Sequence, residues 1–511
     1  MKKILVIPLD ERPCNYDFPK LMARDSGYEV ILPPRDILGR KKAPGNVDTI
    51  WNWFVENVKT CSDAVISIDC LLFSGIVPSR LHNEKVEALI EKLNKLRDIK
   101  NENPSLNIYA FNLIMRNPTY SSDDEEPDYY GKWGAEIHRW GYIRHKKEIG
   151  IATKDEEKEL KDIKKRLPRK YLTDYLDRRA VNIEVNKEFA NLVADGVFAF
   201  ALYPQDDSSP YGLTAKDQQI VREKIKQLDI ETKVYMYPEA DAAVNTLLIR
   251  AINNRENRRP LVFPKYASSM GSMVIPLFED RIVGETIKYQ ILAAGGLVAT
   301  SASEADIVLL INIPSGNMLD RYEVYEMKSD LPSLEYDANR NLIELIEYAA
   351  YVIETLGKSV VFADIAYCNG GDPLLLRLLR QKGLLFKLAG YAGWNTSSNS
   401  LGTCIPMGML YNITGETNAH KDFLALRYVE DIGYDSGVRH EVSENVLHQY
   451  ELDYTELDGQ HGRIAGVIRE KLQDFADEYL SSDKGHVVVK DCYMPWNRMF
   501  EVGLDVEYKS L

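Results

Sequence analysis

The sequence predicts an α/β protein: a (β/α)-barrel-like N-terminal domain, followed by a Rossmann-like α/β domain and a mainly helical C-terminal tail. Short apolar runs of strand length alternate with amphipathic segments of helix length, which is the pattern of parallel strands joined by helices. The chain has 511 residues, too many for one ordinary core. A polar stretch near residue 255 and the end of the strand–helix alternation near residue 415 predict domains over 1–255, 256–415 and 416–511.

Eleven apolar runs are predicted strands, and they fall into two groups along the chain. The first group is 4–9, 28–32, 64–68, 108–114, 197–202, 234–236 and 261–263. The second group is 297–300, 307–313, 360–363 and 386–389. Helical spacing of apolar residues predicts connecting helices, for example over 83–100 and 215–228, and tail helices near 441–449 and 462–480.

The span 117–195 interrupts this alternation and is predicted to be a helical insertion in the first domain. It contains a long acidic loop and then two highly charged helices, over 154–166 and 170–194. An insertion between consecutive strands often forms a wall or lid over a site. The charges of its helices are more typical of a solvated face than of a binding surface.

Composition limits the possible ligands and the compartment. A formal net charge of −14 argues against a nucleic-acid partner, which normally requires a basic surface. No run approaches the ~18 consecutive apolar residues of a membrane span, so no membrane partner is predicted. The six cysteines form no CxxC pair and no zinc spacing. We therefore predict a cytoplasmic protein with reduced thiols and a small-molecule ligand; the sequence does not predict its oligomeric state.

Polar side chains follow most of the predicted strands, at the point where each strand ends. They are Asp10 and Arg12 after 4–9, Asp69 after 64–68, Arg116 after 108–114, Asp206 and Asp207 after 197–202, and Asp364 and Asn369 after 360–363. Because the carboxyl ends of parallel strands face one crevice, this distribution predicts a site built from successive loops. Capping of the following helix is the alternative role for any one of them.

The doublet Asp206-Asp207 is the sharpest candidate for catalysis. Neighbouring side chains of a regular strand point to opposite faces, so both can enter one pocket only where the strand has ended. Two close carboxylates repel each other, and one can then stay protonated while its neighbour is ionised. One protonated and one ionised carboxyl group suit the cleavage of a glycosidic bond. The alternative is that the doublet forms the turn and caps the following helix.

Two further segments supply candidate binding residues. The glycine-rich segment 389–402 carries Trp394 and Asn395, and an aromatic face beside amides is a common way to hold a sugar ring. Tight helix–sheet packing is the alternative explanation for its glycines. The acidic segment that follows Arg116 contains Glu125 and Glu126, either of which could reach a cleft as a further carboxylate, although a solvated loop would have the same composition.

Metal sites are predicted less strongly. The eight histidines form neither HExxH nor HxH, so a zinc site is not expected, and no cofactor is predicted. An all-oxygen Mg²⁺, Mn²⁺ or Ca²⁺ site remains the alternative, built from Asp10, Asp69, Asp206 and Asp364.

The motifs at these positions resemble those of a bacterial family catalogued as domain of unknown function 4127. They are residues 10–13, 67–69 with Gly75 and Ser79-Arg80, 125–129, 205–208, 364–372 and 393–396. The resemblance extends over nearly the whole chain and implies no activity. The acidic doublet is also similar to that of O-GlcNAcase-type hexosaminidases, whose nucleophile is the acetamido group of the substrate. That likeness implies that Asp206 orients and polarises the acetamide and that Asp207 is the general acid.

The resulting hypothesis is a glycoside hydrolase that removes a terminal sugar, such as an N-acetylhexosamine, without a metal. The predicted catalytic residues are Asp206 and Asp207; the predicted substrate-binding residues are Asp10, Arg12, Asp69, Arg116, Glu126, Asp364, Asn369, Trp394 and Asn395. A metal-dependent hydrolase and a non-enzymatic sugar-binding protein are the alternatives.

Overall fold

The computed structural model describes residues 2–326 and 334–510, which form two compact units. The first unit comprises residues up to 11 together with 30–244 and 278–280; the second comprises 12–29, 245–277 and the remainder from 281. The predicted boundary near 255 lies close to the change of unit after Val244. The predicted segments 256–415 and 416–511 lie mainly in one unit.

A six-stranded sheet forms the centre of the first unit. Its strands are β1 (Lys2–Ile7), β2 (Tyr28–Ile31), β3 (Asp63–Ser67), β4 (Asn107–Phe111), β5 (Phe200–Gln205) and β6 (Val234–Pro238). The order is β2-β1-β3-β4-β5-β6, and the pairs from β1–β3 to β5–β6 are parallel. β3 and β5 are buried throughout, as expected of parallel strands covered on both faces. A closed barrel would pair its end strands, so the barrel-like arrangement is not confirmed.

The span between β4 and β5, which the sequence predicts to be a helical insertion, contains the three helices Tyr130–Glu148, Lys154–Arg166 and Arg169–Ala194. The helices that belong wholly to this unit are Val47–Val58, Ile68–Phe73, Pro78–Leu81, Val86–Glu102, Tyr130–Glu148, Lys154–Arg166, Arg169–Ala194 and Leu213–Gln227. Lys154–Arg166 has its predicted bounds because Thr153 and Glu156 form a capping box at its start. The insertion has its own apolar cluster, which includes Trp140 and Tyr175.

The second unit contains a five-stranded parallel sheet and shorter pairings. Its strands are β7 (Leu261–Tyr266), β8 (Leu297–Val298), β9 (Ile307–Asn312), β10 (Leu319–Asp320), β11 (Ser359–Asp364), β12 (Tyr367–Cys368), β13 (Gly390–Ala392), β14 (Gly485–Tyr493) and β15 (Gly503–Ser510). The main sheet has the order β13-β11-β9-β7-β8, β10 pairs with β12, and β14 pairs with β15 in antiparallel fashion.

Helices cover this sheet and form much of the predicted tail. They are Pro13–Ala23, Val283–Ala293, Arg321–Glu326, Leu342–Glu354, Pro373–Gln381, Ser397–Thr414, Asn418–Tyr428, Arg439–Asn445 and Arg463–Tyr479; Ala243–Arg255 begins in the first unit. A π-helix, Val429–Val438, continues from Asn418–Tyr428. None of the helices in the described part of the chain has the length and hydrophobicity required to cross a membrane.

One predicted strand of this unit, 386–389, is wrong. Residues Leu385–Lys387 form a 3₁₀ turn, and the strand is Gly390–Ala392, which pairs with β11. A Cβ at Gly390 would lie 2.8 Å from the carbonyl oxygen of Cys404, so glycine is needed where the helix crosses the strand. Glycine is depleted in strands, and the apolar pattern therefore pointed to the preceding residues.

Counted within its unit, each main sheet has the order 2-1-3-4-5, and the first unit adds a sixth strand. This is the flavodoxin-like order of doubly wound sheets rather than the Rossmann order. In such sheets the ligand crevice lies at the carboxyl edge, beside the point where the strand order reverses. That switch point lies between β1 and β3 in the first unit and between β7 and β9 in the second.

Candidate functional site

The acidic doublet lies at the carboxyl end of β5, where the chain turns. Asp206 is 8% exposed, and its Oδ2 accepts a 2.7 Å hydrogen bond from Nη2 of Arg80. Asp207 has a φ of 30°, a left-handed conformation that residues other than glycine rarely adopt. The turn allows both side chains to join one cluster, because Oδ2 of Asp207 accepts a 3.2 Å hydrogen bond from Nη1 of Arg116.

The same two arginines hold two further carboxylates of the first unit. Arg80 donates to Glu125 at 3.1 Å and to Glu126 at 3.3 Å. Arg116 donates to Glu125 at 3.1 Å and, through Nε, to Glu126 at 2.7 Å. The cluster thus sets two guanidinium groups against four carboxylates. Carboxylates held close together in a buried place repel one another, which favours a proton on one of them.

Asp207 is the member of the cluster that can hold that proton. Burial raises the pKa of Asp207 to about 7; Arg116 opposes this rise and the charge of Asp206 adds to it. A carboxyl group that titrates near neutral pH can donate a proton and accept it again. The predicted contrast between two neighbouring carboxyl groups therefore has a physical basis at this position.

Asp10 and Asp69 lie at the switch point of the first sheet, after β1 and β3. Asp69 is in the first turn of the helix Ile68–Phe73 and accepts a 3.2 Å hydrogen bond from the Asn112 side chain. Burial raises its pKa to about 6. Burial and then the charges of Asp10 and Asp69 raise the pKa of the Cys70 thiol, which places both carboxylates near that thiol.

Sequence reasoning did not select Arg80 as a site residue, and of Glu125 and Glu126 it selected only Glu126 for substrate binding. Arg80 is 1% exposed and lies in the last turn of the helix Pro78–Leu81. The available signal was an arginine within the apolar stretch 68–81, since arginine is rarely buried without a partner. Its partner Asp206 lies 126 residues further along the chain, which no local pattern can reveal.

Four predicted binding residues lie together in a different place, a pocket of the second unit. Arg12, Asn369, Trp394 and Asn395 line this pocket, which has about 430 Å³ of empty space, partly open to solvent. Asn369 and Asn395 both have left-handed backbones, with φ of 60° and 49°. The backbone N–H of Asn369 donates to the carbonyl oxygen of Asn395 at 2.8 Å, which ties together the loops after β12 and β13.

Trp394 and Arg12 are both held by neighbours in this unit. The indole N–H of Trp394 donates to Thr403 at 3.2 Å, and only 7% of the residue is exposed. The Arg12 guanidinium lies over the ring of Trp496, 4.5 Å from its centroid, and 3.7 Å from a carboxylate oxygen of Glu501. Trp394 therefore exposes little of its ring to a ligand, in contrast to the broad stacking face that the sequence suggested.

Asp364 is fully buried at the end of β11 in the second unit. Its carboxylate accepts hydrogen bonds from Tyr391 at 2.7 Å, the backbone N–H of Asp372 at 2.7 Å and the Asn312 side chain at 2.8 Å. Burial, with the charge of Asp372, raises its pKa to about 7. These contacts link the ends of β9, β11 and β13 and describe a structural role, while its role in substrate binding stays a prediction.

The alternative metal set is divided between the two units, since Asp10, Asp69 and Asp206 belong to the first and Asp364 to the second. Within residues 2–326 and 334–510, no group of three or more His, Cys, Asp or Glu side chains is arranged to hold a metal ion.

Glu430 and Asp435 were also missed, although both line the second-unit pocket. Glu430 is bonded to Arg427, and Asp435 lies 3.0 Å from Arg439. Burial raises the pKa of both carboxyl groups, that of Asp435 to about 6. No signal in 429–438 distinguishes a π-helix from an α-helix, so the side that these acids face could not be predicted.

The fold and these sites define a class: a two-unit α/β protein with a buried arginine–carboxylate cluster at the strand ends of one unit and a polar pocket in the other. The family model described as Protein of unknown function (DUF4127) matches residues 4–505. The chain therefore belongs to this family, as its motifs implied. No curated protein sequence matches the chain.

Proposed function

We propose that the protein is a glycoside hydrolase that removes a terminal sugar, such as an N-acetylhexosamine, at the first-unit cluster. The observation that supports this most is the contrast within the acidic doublet. Asp206 is paired with Arg80 at 2.7 Å and Asp207 with Arg116 at 3.2 Å, and burial raises the pKa of Asp207 to about 7. Two neighbouring carboxyl groups in different environments suit the two roles that glycosidic cleavage requires.

In the proposed reaction Asp207 gives its proton to the glycosidic oxygen as the bond to the anomeric carbon breaks. Asp206 orients and polarises the acetamido group, whose carbonyl oxygen bonds to the anomeric carbon and forms a cyclic intermediate. Water then attacks the anomeric carbon and opens this ring, while ionised Asp207 takes the proton of the water. The products are the free sugar and the protonated leaving group, and Asp207 ends as it began.

Other first-unit residues support these steps in the proposal. Arg116 and Glu126 position Asp207, since Arg116 bonds to both carboxylates. Asp10 and Asp69 are proposed to bind sugar hydroxyls, because the crevice of a doubly wound sheet lies beside its switch point.

Hydrolysis of a panel of aryl glycosides by the purified protein tests the proposal. Asp207→Asn keeps the shape of the side chain but cannot donate its proton, and kcat/KM should fall by about 10²–10⁴. The loss should be larger for a substrate with a poor leaving group than for a nitrophenyl glycoside, which needs less help from an acid.

Asp128→Asn is the matched control, because the Asp128 side chain is 95% exposed and the same charge is removed. Equal rates for the wild type and Asp207→Asn would overturn the assignment. Loss of activity after treatment with a chelator would favour the metal-dependent alternative instead.

A further inference from the structure

The second-unit pocket is lined by two carboxyl groups, each with one oxygen that accepts no hydrogen bond from a described residue. Glu430 and Asp435 line it, and the side chain of each is 9% exposed. One oxygen of Glu430 accepts a hydrogen bond from Arg427, and one oxygen of Asp435 is paired with Arg439 at 3.0 Å. The second oxygen of each group has no hydrogen-bond partner in the described part of the chain. A ligand in the pocket can reach both.

The π-helix Val429–Val438 brings these two carboxylates to the same wall. A π-helix bonds residues five apart, as the backbone bond from Arg439 to Tyr434 shows, so Glu430 and Asp435 lie about one turn apart. In an α-helix, residues five apart point in directions about 140° different. The rarer helix is therefore what directs both acids into one pocket, and such turns are frequent at functional sites.

The remaining walls combine aromatic surface with two ion pairs, Arg12 with Glu501 and Arg439 with Asp435. Trp394 and Phe500 contribute aromatic surface, and the side-chain amide of Asn395 has no hydrogen-bond partner among the described residues. Aromatic rings together with carboxylates are the groups that recognise ammonium ions. The guanidinium of Arg439 is paired with Asp435 and donates to backbone carbonyl oxygens of the same unit. These bonds leave the second carboxylate oxygen of Asp435 for a ligand.

We propose that this pocket binds the ammonium group of a small organic amine, which donates to Glu430 and Asp435, while the carbon skeleton of the ligand lies against Trp394 and Phe500. The pocket's enclosed space of about 30 Å³ has room for a few water-sized groups, which suits an ammonium group. The inference does not depend on the proposed hydrolysis, because that reaction uses residues of the first unit.

Calorimetric titration of the full chain with glucosamine and with glucose tests the proposal. The two probes differ only in that an ammonium group replaces one hydroxyl. Glucosamine should bind at least about tenfold more tightly than glucose, because charge-assisted hydrogen bonds are the stronger kind. Equal affinity for the two sugars would overturn the assignment, and so would the absence of binding for both glucosamine and putrescine.

Isosteric variants locate the binding. Glu430→Gln and Asp435→Asn should each weaken glucosamine binding by about tenfold or more. Glu470→Gln removes the same charge from an exposed position on the helix Arg463–Tyr479 and should leave the affinity unchanged. Wild-type affinity in both pocket variants would overturn the proposal.

Two more variants distinguish loss of binding at this pocket from unfolding of the protein and from binding in the first unit. Asn395→Ala changes a half-buried loop residue, and its affinity for glucosamine should be several-fold lower even if the buried acids cannot be replaced without unfolding. Unchanged affinity in Asn395→Ala would then count against the site. Asp207→Asn should bind glucosamine like the wild type; loss of binding there would place the amine in the first unit and overturn the proposal.

Discussion

Asp207 gives the proposed reaction a pH signature. Burial raises its pKa to about 7, and the charge of Asp206 adds to that rise. A general acid must be protonated to act, so kcat/KM for glycoside hydrolysis should fall as the pH rises through about 7. Asp206→Asn removes the neighbouring charge, which should lower the pKa of Asp207 and move this decline to lower pH. The measurement is a pH–rate profile of the residual activity of each protein.

Asp128→Asn again provides the comparison, since it removes one charge from a side chain that is 95% exposed. Its decline should occur at the wild-type pH. If the decline stayed in place in Asp206→Asn as well, the interaction between the two carboxyl groups would not control the reaction.

Single residues differ in how far the sequence reveals them. The doublet was predictable because two carboxylates directly after an apolar run form a local signature. The clustering of Arg80 with Asp206, and of Arg116 with Asp207, joins residues 126 and 91 positions apart. Such pairings depend on which loops meet at a sheet edge, and the spacing of residues along the sequence does not show which loops do.

The helix Ser397–Thr414 illustrates how an element positions a site. Thr396 caps its start, directly after Trp394 and Asn395, and the helix packs against β11 and β13. A Cβ at Gly408 would lie 2.2 Å from Cγ2 of Val361, a buried and rotationally stiff side chain. We expect Gly408→Ala to lower the free energy of unfolding by about 1–3 kcal/mol, because the helix or the strand must move. Urea denaturation monitored by circular dichroism measures this change.

A second helix glycine gives the opposite expectation. Gly466 lies in Arg463–Tyr479, and a Cβ there would meet no heavy atom within 4 Å. Gly466→Ala should therefore raise the free energy of unfolding by about 0.5–1 kcal/mol, because alanine is the better helix former. Equal stability of the two alanine variants would show that close packing at Gly408 does not matter.

Elements were predicted best where their ends carry chemical signals. The capping box at Thr153 fixed the start of Lys154–Arg166. The strand β13 was predicted too early in the chain, because it begins with a glycine, which strands disfavour but which the crossing helix requires at this position. The π-helix Val429–Val438 had no signal at all, because its extra residue per turn is set by contacts such as that between Asp431 and the backbone N–H of Gly393.

At the scale of the whole molecule, the α/β class was predictable and the order of the strands was not. Alternating strands and helices are common to closed barrels and open doubly wound sheets, and only the pairing of the end strands distinguishes them. Both units share the order 2-1-3-4-5, although no repeat is visible in the sequence. The strand order follows from the direction of each crossover, which a hydrophobic pattern does not encode.

Buried carboxyl groups in both units give the molecule a predicted dependence of stability on pH. Burial is the main cause that raises the pKa of five of them to about 6 or 7: Asp69, Asp207, Asp364, Asp431 and Asp435. In the unfolded chain the pKa of an aspartate is about 4. Between these values the folded protein binds more protons than the unfolded chain, so the free energy of unfolding falls as the pH rises from about 4 to about 7.

Thermal unfolding near pH 5 and near pH 8 tests this dependence, and the melting temperature should be higher at about pH 5. Asp364→Asn replaces one of these groups by a neutral isostere, so the difference between the two melting temperatures should become smaller. Asp474→Asn changes an exposed aspartate and should leave the difference as in the wild type. A melting temperature that rises from pH 5 to pH 8 would contradict the prediction, because the folded protein would then bind fewer protons than the unfolded chain.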